Sequence, residues 1–128
     1  MQKGFTIVEL LIAISIIGIL SAIAIPTYRG HILEAKSTIA RNSLRAIYLK
    51  EMEWMSDNGA YFVTGCVADD SSDSINTNLF NGDQMLDNES FSYCIQLGAD
   101  DSEFTAIATL NSDDSVIYTI NQNNVTNF

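Results

Sequence analysis

Basic residues are absent from most of this chain. All six Lys and Arg lie in the first 50 positions, whereas fourteen of the sixteen Asp and Glu follow them. The six are Lys3, Arg29, Lys36, Arg41, Arg45 and Lys50. Because a region of such one-sided negative charge repels phosphate backbones, we expect no direct nucleic-acid binding by the C-terminal part.

Residues that serve catalysis or bind metals are also scarce. The chain has one histidine, His31, and two cysteines, Cys66 and Cys94. No zinc-spaced cysteine group, Ser/His/Asp set or phosphate-cradling glycine loop is apparent. We therefore predict that the chain is not an enzyme and has no catalytic residue, metal site or cofactor.

Acidic clusters at positions 69–73, 100–101 and 113–114 are the one feature that could suggest a metal. Carboxylate oxygens suit calcium, but these clusters lack the spacing of an EF-hand loop. Solvated acidic turns are the simpler interpretation.

Charge is nearly missing from a long apolar run near the N-terminus. From Phe5 to Ile25 the only charged residue is Glu9. A helix of about 20 apolar residues crosses a hydrocarbon core of about 30 Å. An acid in such a segment is a functional hypothesis by default, and no basic residue inside the run can pair with Glu9.

The pattern predicts a leader at 1–4, a membrane-spanning half of a helix at 5–26, and a globular part at 27–128. The helix continues from Phe5 to about Asp57, because apolar periodicity resumes after Pro26. Gly18 and Pro26 weaken the helix, so we expect a kink or local melting between them but no end.

The remainder predicts a loop at 60–89, with a short strand possible at Tyr61–Val63. Alternation with period two then predicts strands at 90–97, 103–110 and 115–120. Their connections are too short for a parallel crossover. The predicted fold class is therefore α+β, with a long N-terminal helix packed on an antiparallel sheet of three to four strands.

Cys66 and Cys94 follow the apolar run, so they lie on the far side of a membrane if the run inserts. An extracytoplasmic compartment permits a disulfide between them. The alternative is a pair of buried thiols.

Two ordinary interpretations compete for the N-terminus. A secretory signal peptide cut after Ala22-Ile23-Ala24 would release a secreted binding domain that starts at Ile25. Against it, the apolar run exceeds the usual signal core, Lys3 alone supplies the basic region, and Glu9 is charged. A plain membrane anchor carrying a binding domain is the other, and it leaves Glu9 unexplained.

The segment KGFTIVELLIAISIIGILSAIAIP resembles the N-terminal signature of type IV pilins and of the related pseudopilins of type II secretion. The resemblance implies prepilin-peptidase cleavage between Gly4 and Phe5, N-methylation of Phe5, and an assembly role for Glu9. Gly18 and Pro26 match helix-weakening positions of the family. Unlike major pilins, this chain has no cysteine in its last 34 residues to pin the C-terminal segment.

The function that the resemblance implies is that of a structural subunit, major or minor, of a type IV pilus. Its expected partners are other pilins, the inner membrane, the prepilin peptidase and the assembly machinery. Its expected location is the inner membrane and then an extracellular filament on a Gram-negative-type cell. Motility, adhesion and DNA uptake are the associated roles, and a type II secretion pseudopilin is the alternative.

Overall fold

The structure is a computed structural model that describes residues 4–66 and 71–128. The described elements are the helices α1 (Ile7–Asn58) and α2 (Ser72–Leu79) and the strands β1 (Phe91–Leu97), β2 (Phe104–Leu110) and β3 (Asp113–Asn121). The chain divides into two compact units with the boundary between Ala35 and Lys36. We call them the N-terminal unit and the head, and we describe each by itself.

The N-terminal unit consists of the apolar part of α1. Its large apolar side chains are all exposed, from 38% for Ile32 to 90% for Phe5. The helix is continuous through Gly18 and Pro26, so the predicted local melting is not observed. Proline removes one ladder bond, and the bonds of the flanking turns are enough to carry the helix past it. A weakening role for these two residues in an assembled state stays a prediction.

The head contains the hydrophobic core. From α1 it takes Ala40, Leu44 and Ile47, all completely buried at helical spacings of three and four. The other buried hydrophobic residues are Ile75, Leu79, Phe80, Leu86, Phe91, Tyr93, Ile95, Phe104, Ala106, Ala108, Leu110 and Ile120. Ser37 and Glu51 are also buried on this side of α1. Neither of these polar residues is expected in a core from its residue type.

The three strands form an antiparallel sheet in the order β1-β2-β3. Alternate residues of β2 are buried, as period-two patterning predicts. A register shift between Thr109 and Leu110 interrupts the pairing of β2 with β3. The predicted fold class is confirmed. Period-two alternation puts Leu97 on the same face of β1 as Phe91, Tyr93 and Ile95, but Leu97 is 45% exposed whereas those three residues are buried.

The segment between α1 and β1 differs from the prediction of a loop. Its Ser- and Asn-rich sequence forms α2, because Ile75 and Leu79, one helical turn apart, are buried in the core. Asn76 is buried with them and pairs with the backbone of Leu86 through both amide atoms, at 3.1 and 2.9 Å. Burial of this face outweighs the weak helix propensity of Ser and Asn.

Tyr61–Val63 is not a strand, so this part of the prediction is wrong. The backbone N–H groups of Thr64 and Gly65 both donate to the carbonyl of Ile95 in β1, at 3.0 and 2.9 Å. Gly65 has a φ of 74°. This left-handed conformation breaks the alternation of donors that a fourth strand would need.

The C-terminal tail is held without a disulfide. The Asn127 side chain accepts from the Thr119 N–H and donates to the Ile117 carbonyl, both at 2.9 Å. The Phe128 ring meets the Tyr118 ring edge to face, with centroids 5.7 Å apart. These contacts cover part of the outer edge of β3, which would otherwise be open for pairing with another chain.

Candidate functional site

The candidate site lies at the start of α1. Gly4, Phe5 and Thr6 precede the helix and are exposed. An ideal Cβ built on Gly4 would meet no heavy atom within 4 Å. The peptide bond between Gly4 and Phe5 is therefore in an open, non-helical segment, which is the conformation a protease needs to bind a chain.

Glu9 takes part in a capping box with Thr6. Its Oε2 accepts hydrogen bonds from the Thr6 N–H and the Thr6 hydroxyl, both at 2.9 Å. The Glu9 N–H donates to the Thr6 Oγ1 at 3.2 Å. In this motif the side chains at the N-cap and three residues later satisfy each other's free backbone donors. The pattern Thr6-x-x-Glu9 is typical of this motif. Thr6 is therefore a residue that the sequence could have indicated, although it is not among the site residues predicted above.

The capping box gives Glu9 a structural role beside the predicted assembly role. It also places a negative charge in the first turn of a helix, where the helix dipole favours it. An ionised carboxylate offers about four acceptor positions. Within the described residues Oε1 of Glu9 accepts no hydrogen bond, so the carboxylate can cap its own helix and still bind one further donor.

The helix that follows is long and apolar enough to cross a membrane. One 18-residue window has a mean hydropathy of 2.6, and none of it is buried. Ser15 and Thr27 donate their hydroxyls to carbonyls one turn earlier, at 2.7 and 3.1 Å. The polar atoms of these two side chains are therefore satisfied within the helix, which lipid requires.

The predicted disulfide is present between Cys66 and Cys94, whose Cα atoms are 5.3 Å apart. It closes a sequence separation of 28 residues and fastens the end of the 61–66 segment to β1. It does not hold the C-terminal tail, which Asn127 and Phe128 anchor instead.

A second acid of α1, Glu51, lies inside the head. It is completely buried, and its Oε2 accepts a hydrogen bond from the Phe62 N–H at 3.0 Å. Its Oε1 has no partner within the described residues. Burial raises the pKa of Glu51 to about 7, although the bond from Phe62 acts in the opposite direction. Glu51 continues the helical spacing of Ala40, Leu44 and Ile47, and this position distinguishes it from the solvated acids.

The acidic clusters show no metal-binding geometry in the part of the chain that the structure describes. Asp69 and Asp70 lie outside that part. Asp113 accepts from the Ser115 hydroxyl and N–H, at 2.6 and 3.0 Å. These two bonds hold the pKa of Asp113 below its ordinary value, and Asp113 thus stabilises the start of β3.

Comparison with known proteins supports the resemblance of the N-terminal segment to a pilin signature. Residues 1–25 match the family described as the prokaryotic N-terminal methylation motif. The chain is 38% identical over 65 residues to a fimbrial protein of Neisseria meningitidis, and 39% identical over 60 residues to the type IV major pilin protein PilA of Myxococcus xanthus. The matches cover 45% and 47% of this chain but 38% and 27% of those relatives.

The chain thus spans less than half the length of these relatives. A solved type IV pilin from Shewanella oneidensis aligns with a TM-score of 0.46 at 16% identity, over 69% of this chain and 82% of that one.

Residues 1–25 thus carry the prokaryotic N-terminal methylation motif. Over nearly half of its length the chain is similar to proteins named as fimbrial proteins and type IV pilins. The relatives are named as fimbrial and pilin proteins, which are structural, in agreement with the prediction that the chain is not an enzyme.

Proposed function

We propose that the chain is a structural subunit of a type IV pilus. A prepilin peptidase cuts between Gly4 and Phe5, Phe5 is N-methylated, and the subunit polymerises from the inner membrane into an extracellular filament. The observation that carries this proposal is the exposure of the large apolar side chains along the apolar part of α1, none of which is buried. Apolar surface on this scale marks a membrane or subunit interface, because water does not stabilise it.

Glu9 acts in this proposal through its second oxygen. Cleavage creates a positively charged amine at Phe5, and the amine of one subunit binds Oε1 of Glu9 in another. The helices in the filament core exclude water, so an unpaired carboxylate there is costly and a paired one is much less so. The pairing therefore favours the assembled state over a free anchor.

The mature N-terminus tests the processing step. Mass spectrometry of the cell-bound protein should find N-methylated Phe5. A start at Ile25 would instead show signal-peptidase cleavage and a secreted binding domain, and an uncut chain would show a plain anchor. Imaging of filaments sheared from the cell surface then separates a pilus from a type II secretion pseudopilus, which should leave no surface fibres.

Two variants separate the assembly role of Glu9 from its capping role. Glu9→Gln removes the charge that would bind the Phe5 amine, and we expect filaments to be lost. Thr6→Ala removes the hydroxyl of the capping box and leaves the Glu9 carboxylate in place, so we expect filament yield close to wild type. If both variants reduced filaments equally, Glu9 would act only as a helix cap.

A further inference from the structure

A small polar cleft lies in the head where α1 ends. Its volume is about 160 Å³ and it is partly open. Trp54, Asp57 and Asn58 line it from α1, and Asn78 and Asn81 line it from the end of α2 and beyond. The mechanism proposed above does not use this cleft.

Hydrogen-bond acceptors outnumber donors in the cleft. One N–H of the Asn58 side-chain amide donates to the Trp54 carbonyl at 3.1 Å, and one of the Asn78 amide donates to the Ser74 carbonyl at 2.8 Å, so each amide keeps one free donor beside the two acceptor positions of its oxygen. Both amide oxygens, and the carboxylate of Asp57, accept no hydrogen bond within the described residues. The open positions in this cleft therefore suit a ligand that carries several donors.

The local charge also favours a cation. A helix C-terminus carries a partial negative charge that basic side chains usually offset. The last turn of α1 has no basic residue and contains Asp57. Lys50 lines the cleft, but its ammonium is 2.7 Å from the Glu53 carboxylate and the two charges cancel. The negative charges of Asp57 and of the helix end stay uncompensated.

Trp54 adds an aromatic surface to this arrangement. Its ring meets the Phe62 ring edge to face at a centroid distance of 5.4 Å, which restricts the indole. Indole is the aromatic side chain that attracts cations most strongly. The cleft thus combines hydrogen-bond acceptors, the uncompensated negative charge at the end of α1 and an indole ring. This combination suits an ammonium or a guanidinium group.

The chain itself limits where this cation can come from. No basic residue follows Lys50 in the sequence. Arg41 lies over the Tyr118 ring at 5.3 Å and Arg45 over the Phe128 ring at 5.6 Å. Lys36 is exposed and has no partner in the part of the chain that the structure describes.

Lys36 cannot reach the cleft of its own chain. It precedes Asp57 by 21 positions on the same helix of the head. At a rise of 1.5 Å per residue this separation is about 30 Å, several times the length of a lysine side chain. Arg29 is also exposed, but it belongs to the apolar N-terminal unit, next to exposed Tyr28.

We propose that the cleft formed by Trp54, Asp57 and the neighbouring asparagines is a docking site for the Lys36 ammonium of a second copy of this chain. The inference rests on the proposed function, because a filament is what brings the heads of different copies together. It assigns a purpose to the segregation of basic residues on α1 and acidic residues in the head.

A charge exchange in the full-length protein tests this contact. Lys36→Glu and Asp57→Lys should each lower the yield of sheared filaments about tenfold, since each places two like charges at the contact. The double variant restores opposite charges and should return the yield to near wild type. Asp73→Lys is the matched control, because Asp73 is an exposed acid of α2 outside the cleft, and it should have little effect.

Each outcome decides one claim. If the wild type forms filaments and the single variants give the same filament yield, the docking site is overturned and the proposed function stays intact. Rescue of Asp57→Lys by Arg29→Glu instead of Lys36→Glu would overturn the assignment of Lys36. Absence of filaments from the wild type would overturn the proposed function. Far-ultraviolet circular dichroism in detergent verifies that every variant is folded.

Discussion

The two units of this chain treat apolar side chains in opposite ways. In the N-terminal unit the large apolar residues are 38% to 90% exposed, whereas in the head fifteen hydrophobic residues are buried. The same helix runs through both. The head supplies its own apolar environment, while the N-terminal unit needs lipid or other subunits to supply one.

Two acids of α1, Glu9 and Glu51, differ in the same way. Glu9 is exposed and bound locally by Thr6, and it keeps one oxygen open for a donor from outside the chain. Glu51 is buried inside the head and has one backbone partner. An acid in an apolar helix can thus stay exposed and cap its own helix, while an acid in an amphipathic helix can be part of the core. The following predictions test these contrasts, from the largest expected effect to the smallest.

Truncation of a side chain should lower the free energy of unfolding in the core of the head but not in the N-terminal unit. Phe104 is completely buried and contacts the Tyr61 ring at a centroid distance of 4.8 Å. We expect Phe104→Ala to lower the free energy of unfolding by about 3–5 kcal/mol, because it leaves a cavity. Ile17→Ala, at a residue 61% exposed, is the control and should change it by less than about 0.5 kcal/mol in detergent. Urea unfolding followed by Trp54 fluorescence measures the stability of both variants. Equal losses of stability would contradict the contrast between the head and the N-terminal unit.

Loss of the disulfide should be the next largest effect. Replacing Cys66 and Cys94 by Ala should lower the free energy of unfolding by about 3–4 kcal/mol, because the cross-link restricts the unfolded chain. Reductant should destabilise the wild type and leave the double variant unchanged. A wild type that is equally stable with and without reductant would show that the bond is absent.

Glu51 should make the stability of the head depend on pH. Its pKa is about 7 in the folded state against 4.5 for the free group, so the folded state binds the proton more tightly. The resulting stabilisation is complete below about pH 4.5 and is lost as the pH rises through about 7, by up to about 3 kcal/mol. Glu51→Gln should remove this dependence. The free energy of unfolding of the wild type and of Glu51→Gln at pH 5 and pH 8 checks this prediction. An equal change between the two pH values in both proteins would contradict it.

Release of the C-terminal tail should have the smallest effect. Asn127→Ala removes two hydrogen bonds to β3, and we expect a loss of about 0.5–1.5 kcal/mol, because water can replace them at an exposed edge. Amide exchange of the Thr119 N–H should become faster. Asn123→Ala is the control, since the structure shows no hydrogen bond from that side chain. Unchanged protection of Thr119 in Asn127→Ala would show that the tail is not held there.

Much of this architecture follows from local patterns. The apolar run and the resumed periodicity predict α1 to within two residues of its observed bounds Ile7 and Asn58. Alternation predicts all three strands. It fails at Leu97, the last residue of β1, which is 45% exposed although its cross-strand partner Phe104 is buried. The segment of α2 was predicted as a loop because its helix depends on the burial of Ile75 and Asn76, which are contacts distant in sequence.

The sequence by itself determined the N-terminal methylation motif, the acid at position 9, the long helix, the strands and the segregation of charge, because each depends on neighbouring residues or on composition. Tertiary structure decided which polar residues are buried, how the C-terminal tail is held, and that acceptors from α1 and α2 meet beside Trp54. Those features depend on side chains that are distant in sequence and adjacent in space. The physical reason is that burial and hydrogen-bond pairing are properties of the whole fold, whereas periodicity and charge are properties of the chain.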